Sequence, residues 1–275
     1  MNQPESCAPV GVFDSGVGGL TVVREIMRQI PGEQVVYFGD TARVPYGSKS
    51  KETVTKFSRQ DVKFLLSMNV KAIVVACNTA SAVALDEIEK ELPIPIIGVV
   101  RPGVKAAVEA TKNGKIGVIA TEATIHSEIY TKYIQQIAVA AKVIGKACPL
   151  FVPLVEEGLL EDSVTDEIAR RYLADLKGTG IDTLIMGCTH YPLLRGTIQK
   201  VMGEDVTLVN PAYETARSLK ELLNEKGLLN ESAETPLKHS HEFFVSDSVD
   251  KFKTFANSIL PYEIKKASRI NIEEY

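Results

Sequence analysis

Two stretches of one design constrain this chain more than anything else in it. Residues 74–79 read Val-Val-Ala-Cys-Asn-Thr, and residues 184–190 read Leu-Ile-Met-Gly-Cys-Thr-His. Each is a short apolar run that stops at a cysteine, passes into polar residues and precedes a segment with helical periodicity. Such an unbroken run is the pattern of a parallel strand buried on both faces. In open α/β sheets, ligands gather just beyond the carboxyl ends of the strands. The pattern therefore predicts two thiols, Cys77 and Cys188, at strand ends where chemistry tends to sit. Two matched thiols suggest a reaction with two matched halves.

The rest of the chain alternates in the same way. Apolar runs predict strands over residues 10–13, 35–38, 73–76, 94–99, 116–120, 149–152, 184–187 and 206–209. Helical spacing predicts helices over residues 20–30, 51–68, 80–92, 124–141, 164–176 and 193–202. Pro31-Gly32 and Pro93 act as stops, and Asn210-Pro211 is a capping residue ahead of a proline at the first helical position. This alternation predicts parallel sheets with helical crossovers. A faint repeat adds a second level: Gly11-Val12-Phe13-Asp14-Ser15 resembles Gly117-Val118-Ile119-Ala120-Thr121, and each leads on to a thiol strand. Two similar lobes are expected, with both thiols across a shared cleft, and 275 residues suffice for two domains. Near the end, residues 230–241 read as a polar loop and residues 243–245 as a strand. Val249, Phe252, Phe255 and Ile259 have helical spacing, and this tail is expected to pack back on the first lobe.

Composition narrows the function. With 45% hydrophobic and 24% charged residues the chain resembles an ordinary soluble globular protein. A net charge of −4 leaves no electrostatic footprint for nucleic acid or an anionic membrane. No apolar run has the length of a membrane span, and residues 1–9 lack the basic region and apolar core of a signal peptide. The expected compartment is the cytoplasm, where thiols stay reduced, and the four cysteines lack zinc-type pair spacing.

Several residues could carry chemistry. A helix start lowers the pKa of a nearby thiol, and both Cys77 and Cys188 precede helix-patterned segments, so a lowered pKa is expected there. Cys7 and Cys148 have no such setting and read as space-filling residues. Asp14 either caps the next helix or puts its carboxylate in the cleft beside Cys77. Ser15, Asn78, Thr79 and Thr189 suit a small anionic substrate. Gly16, Gly18 and Gly19, with Asp40 ending the next strand, raise a dinucleotide-binding alternative, but the G-x-G-x-x-G pattern would need glycine where Thr21 stands. His190 has no second histidine or thiol at metal-ligand spacing, and no metal is expected. His239-Ser240-His241 reads as a solvated loop.

Taken together, four motifs resemble those of bacterial glutamate racemases in the aspartate/glutamate racemase family. They are Asp14-Ser15-Gly16-Val17-Gly18-Gly19-Leu20; Gly39-Asp40 with Pro45-Tyr46-Gly47; Ala76-Cys77-Asn78-Thr79-Ala80; and Gly187-Cys188-Thr189-His190-Tyr191-Pro192. Val152-Pro153-Leu154-Val155-Glu156 falls in the same order. The resemblance implies two pseudo-symmetric α/β domains with mainly parallel sheets flanked by helices and the active site between them. Residues 1–98 and 211–275 would form the first domain, and residues 99–210 the second. It implies interconversion of L- and D-glutamate for peptidoglycan, with no cofactor and by a homodimer. Cys77 and Cys188 would be acid/base thiols on opposite faces of the α-carbon. Asp14, Glu156 and His190 would support them, and Ser15, Tyr46, Gly47, Asn78, Thr79 and Thr189 would hold the substrate, with Asp14 and His190 also in contact. Three rivals stand beside this reading: a racemase of aspartate or another amino acid, a nicotinamide-dependent oxidoreductase, and a non-catalytic two-lobed binding protein.

Overall fold

The structure, a computed structural model, describes residues 5–230 and 241–275. Ten strands occur among them: β1 (Val10–Asp14), β2 (Val35–Gly39), β3 (Ala72–Val75), β4 (Ile96–Gly98), β5 (Lys115–Ala120), β6 (Lys142–Ala147), β7 (Thr183–Gly187), β8 (Thr207–Val209), β9 (Glu242–Val245) and β10 (Ser268–Arg269). They form a six-stranded sheet, β10-β9-β2-β1-β3-β4, and a four-stranded sheet, β6-β5-β7-β8. All pairings are parallel. The repeat in the sequence corresponds to topology: β2-β1-β3-β4 in one sheet has the same order as β6-β5-β7-β8 in the other.

Helices cover both faces of each sheet, which is why the strands read as continuous apolar runs. On one face of the larger sheet, helices Leu20–Gln29, Pro211–Glu225 and Val249–Ile259 bury Leu20, Ile26, Leu219 and Phe252 against Val10, Val12 and Tyr37. Helices Lys51–Ser67 and Asn78–Val83 close the other face over Phe13, Phe38 and Val75. In the smaller sheet, Ser163–Lys177 and Arg195–Met202 lie over Leu184 and Met186. Val100–Ala110 and Ile129–Ile137 lie over Ile116, Val118 and Ile185. Each such aliphatic or aromatic side chain, fully buried, contributes about 1.5–3 kcal/mol. Local signals agree: Ser50, Asp162 and Asn210 each accept a backbone amide at the start of their helices, satisfying one of the donors left open there.

The tail joins the first sheet as expected. β9 pairs with β2 through Tyr37↔Phe243, and Phe252 of the last helix stacks on Tyr37 at 5.7 Å. Most of the polar stretch 230–241 lies outside the described residues. His241 is not solvated; it accepts the Val35 amide at 3.1 Å and stacks on Tyr262.

Three local expectations are corrected, and two further elements were not predicted. Residues 149–152 are not a strand; Phe151 begins helix Phe151–Glu156. The strand at that edge of the smaller sheet is β6, whose residues are partly or fully exposed and include Lys142 and Lys146, so it lacks an apolar run. The helix expected over 124–141 is split into Glu122–His126 and Ile129–Ile137, where Glu128 takes a left-handed conformation with φ 53°. The helix expected over 80–92 starts at Asn78 and breaks at Ala84. Helix Val100–Ala110 had no sequence prediction because Pro102-Gly103 resembles a stop, yet proline in a first turn loses no helical hydrogen bond. Among the described residues no helix is long and apolar enough to cross a membrane.

Candidate active site

Register brings the chemistry together. Phe13 pairs with Val75 in the first sheet and Ala120 with Gly187 in the second, so Ser15 lies beside Cys77 and Thr121 beside Cys188. A cavity of about 50 Å³ separates these two strand ends. It is lined by Cys77 and Cys188, by Glu156 and His190, and by Ser15, Tyr46, Gly47, Asn78, Thr79 and Thr189. Of the residues singled out in the sequence, only Asp14 is absent from the wall.

Asp14 lies beneath it. The residue is 1% exposed, and its Oδ2 accepts the Gly16 amide at 3.0 Å, so it organises the turn instead of capping a helix. Oδ1 is buried without a partner. Burial raises the Asp14 pKa, while His190 and the amides of Gly16 and Gly19 oppose the rise.

Cys77 caps helix Asn78–Val83: its Sγ accepts the Ala80 amide at 3.4 Å and approaches Ser15 Oγ at 3.6 Å. The expected lowering of its pKa does not occur. Burial, reinforced by the charge of Asp14, pushes the thiol up to about 12 and outweighs the amide and hydroxyl contacts. Cys188 has other neighbours. Its Sγ lies 3.8 Å from His190 Nδ1, and His190 Nε2 lies 3.1 Å from Glu156 Oε1. Burial would lower the His190 pKa, but contacts with Cys188 and Glu156 win and carry it to about 10. The same hydrogen bond from His190 holds Glu156 below the usual carboxylate range. At neutral pH His190 is therefore an imidazolium between a carboxylate and a sulfur. Phe255 of the last helix sits 6.3 Å behind it.

The lobes meet through small groups. The hydroxyls of Thr79, Thr121 and Thr124 form a triangle with sides of 3.0, 3.2 and 3.0 Å. Tyr130 donates to Asn78 Oδ1 at 2.7 Å. A Cβ on Gly47 would come within 2.7 Å of Thr121 Cβ, and one on Gly18 would strike Thr189 and His190. The glycine-rich turn thus makes room for the facing lobe, not for a dinucleotide, and Thr21 Oγ1 reaches the Thr189 carbonyl at 2.9 Å. The sequence reading missed Thr121, Thr124 and Tyr130. Thr121 was recoverable, because the internal repeat aligns it with Ser15; the other two have no local signal.

The family described as Asp/Glu/Hydantoin racemase matches residues 10–219. The chain belongs to the Asp/Glu/hydantoin racemase family. As a member of this family it is an isomerase. It is 47% identical over 264 residues to the glutamate racemase of Geobacter metallireducens, covering 96% of this chain and 97% of that one. A glutamate racemase isoform from Bacillus anthracis superposes with a TM-score of 0.92 at 44% identity, over 97% of this chain and 98% of that chain. A glutamate racemase from Francisella tularensis, in complex with D-glutamate, gives 0.91 at 38% identity, over 98% and 100%. The resemblance in the motifs is borne out across the whole two-sheet fold.

Proposed function

We propose that this racemase interconverts L- and D-glutamate without a cofactor, using Cys77 and Cys188 as the two acid/base groups. The observation that carries this reading is the cavity itself: two buried thiols at topologically equivalent strand ends line one small space. Inverting a tetrahedral carbon needs a proton removed from one face and another delivered to the opposite face. One sulfur, as thiolate, takes the α-proton; the electron pair stays on carbon; the other thiol then gives its proton to the far face. The enzyme ends with thiol and thiolate exchanged, ready for the opposite enantiomer. General acid–base catalysis contributes about 10²–10⁴-fold per positioned group, so the remaining acceleration must come from stabilising the carbanion in a water-poor site.

Supporting roles follow from position. His190, held protonated by Cys188 and Glu156 together, donates toward Cys188, while Asp14 sets the charge around Cys77. Hydroxyls of Ser15, Thr79, Thr121 and Thr189, the Asn78 amide and the backbone of the Tyr46–Gly47 wall hold the substrate carboxylates. The substrate assignment is supported by the glutamate racemases this chain resembles, one of them in complex with D-glutamate. In the same reading, residues 1–98 with 211–275 and residues 99–210 are lobes that close over the substrate, the working unit is a cytoplasmic homodimer, and the product D-glutamate serves peptidoglycan synthesis.

Proton NMR in heavy water, run beside optical rotation on L-glutamate and L-aspartate, tests the assignment. Loss of the α-proton signal and of rotation with glutamate, without added cofactor, is the expected result. Unchanged signal and rotation with glutamate would overturn it, and faster turnover of aspartate would reassign the substrate.

A further inference from the structure

Behind the cavity wall formed by Tyr46 and Gly47 lies a second cluster of ionisable groups that the proton transfer does not use. Asp40, Asp61 and Tyr46 are all buried, at 0%, 0% and 1% exposure. The Tyr46 hydroxyl sits 2.5 Å from Asp40 Oδ2 and 3.0 Å from Asp61 Oδ2. It is therefore committed inside the first lobe and is not free to donate to a substrate. Arg43 binds both carboxylates, through Nε to Asp40 at 2.7 Å and through Nη2 to Asp61 at 3.2 Å, with its guanidinium 4.1 Å above the Phe57 ring. The tail reaches in as well. Ser246 donates to Asp40 Oδ1 at 2.9 Å and accepts the Ala42 amide at 2.8 Å, and Glu273 lies 3.4 Å from Arg43.

This is a costly arrangement. Two buried carboxylates face one guanidinium, and replacing buried ion pairs with apolar residues of the same volume is often neutral or stabilising. Burial and the charge of Asp40 push the Asp61 pKa well above the carboxylate range. What the polar arrangement supplies and an apolar one would not is direction: it fixes the phenol oxygen from two sides. The same loop presents Gly47 to Thr121 across the cleft, with no room for a Cβ, so its placement sets the width of the cavity where the lobes meet.

We propose that Asp40, Asp61 and Arg43 are positioning residues for substrate binding, which grip the Tyr46 hydroxyl to hold the Tyr46–Gly47 wall against the facing lobe, with Ser246 linking that grip to the C-terminal tail. The proposal rests on the racemase reading above. The test is a double-mutant cycle of Asp61→Asn and Tyr46→Phe, with steady-state kinetics on both glutamate enantiomers and thermal unfolding of each variant. Asp61→Asn is expected to raise KM about tenfold with kcat within about twofold, the scale of one hydrogen bond to a charged group. In the Tyr46→Phe background the same change should add less than about twofold, because the group it acts through is gone. Additive KM effects, an unchanged KM, or a fall in kcat at constant KM would each overturn the positioning role. If Asp61→Asn does not fold, Ser246→Ala takes its place, with KM expected to rise about threefold on loss of a neutral hydrogen bond; an unchanged KM there overturns the proposal. A wild-type enzyme that leaves glutamate untouched would overturn both readings, whereas an active wild type with normal KM in the variants would overturn this one alone.

Discussion

At the end of β3, Cys77 accepts an amide from Ala80, faces Ser15 and lies over the buried Asp14. At the end of β7, Cys188 faces His190, which is paired with Glu156. The backbone of the two halves is equivalent and their charge is not. One thiol is buried above a carboxylate, and burial, reinforced by that charge, keeps its proton on to about pH 12; the other stands against an imidazolium that holds its own proton to about pH 10. A strand, a cysteine and a helix start therefore do not set a thiol's protonation state. Its neighbours from other parts of the chain do.

The largest effect should come from the sulfurs themselves. Cys77→Ala and Cys188→Ala are each expected to cut racemisation by at least about 10³-fold while the fold survives. In heavy water each variant should still exchange the α-proton of one enantiomer, and the two variants should favour opposite enantiomers. Retention of wild-type racemisation by either, or exchange of the same enantiomer by both, would remove the division of labour between the halves.

Glu156→Gln should lower kcat by about 10–100-fold, the scale of a hydrogen bond to a charged group. It should also move the alkaline limit of activity to lower pH, because the carboxylate helps hold the His190 proton. Titration of the His190 ring by NMR in both proteins checks this; an unmoved midpoint would mean that Glu156 does not control it.

Stability should show a related difference. His190 is raised from 6.5 to about 10 in the folded state, so its stabilising contribution is complete below pH 6.5 and disappears as pH rises to about 10. Cys77 is raised from 9.0 to about 12, so its contribution persists to pH 9 and is lost by about 12. Melting temperature should fall on the alkaline side, and His190→Asn should flatten the earlier part of that fall. A variant whose melting curve against pH parallels the wild type would contradict the assignment.

The smallest effect is expected at Tyr130→Phe, which removes the 2.7 Å bond to Asn78 between the lobes. About 1 kcal/mol is at stake, seen as a KM increase of less than tenfold with kcat nearly unchanged. A larger fall in kcat would give Tyr130 a part in the chemistry itself.

Much of the molecule was legible before folding. Periodicities of two to four residues record which way each segment turns its apolar side, so the buried strands β1, β2, β3, β5 and β7 and the long capped helices could be read locally. The edge strand β6 could not, because one exposed margin relaxes the demand for apolar residues; nor could the break at Glu128, which depends on a single left-handed residue. By itself the sequence determined where the two thiols stand, at the ends of equivalent strands, with hydroxyls and an amide nearby. Only the tertiary structure decided what those groups are. It removed Cys77 from water above Asp14, brought Glu156 to His190 from 34 positions away, and closed Asp61 and Ser246 on the loop that carries Tyr46. Charge depends on burial and on partners distant along the chain, and no local pattern records either.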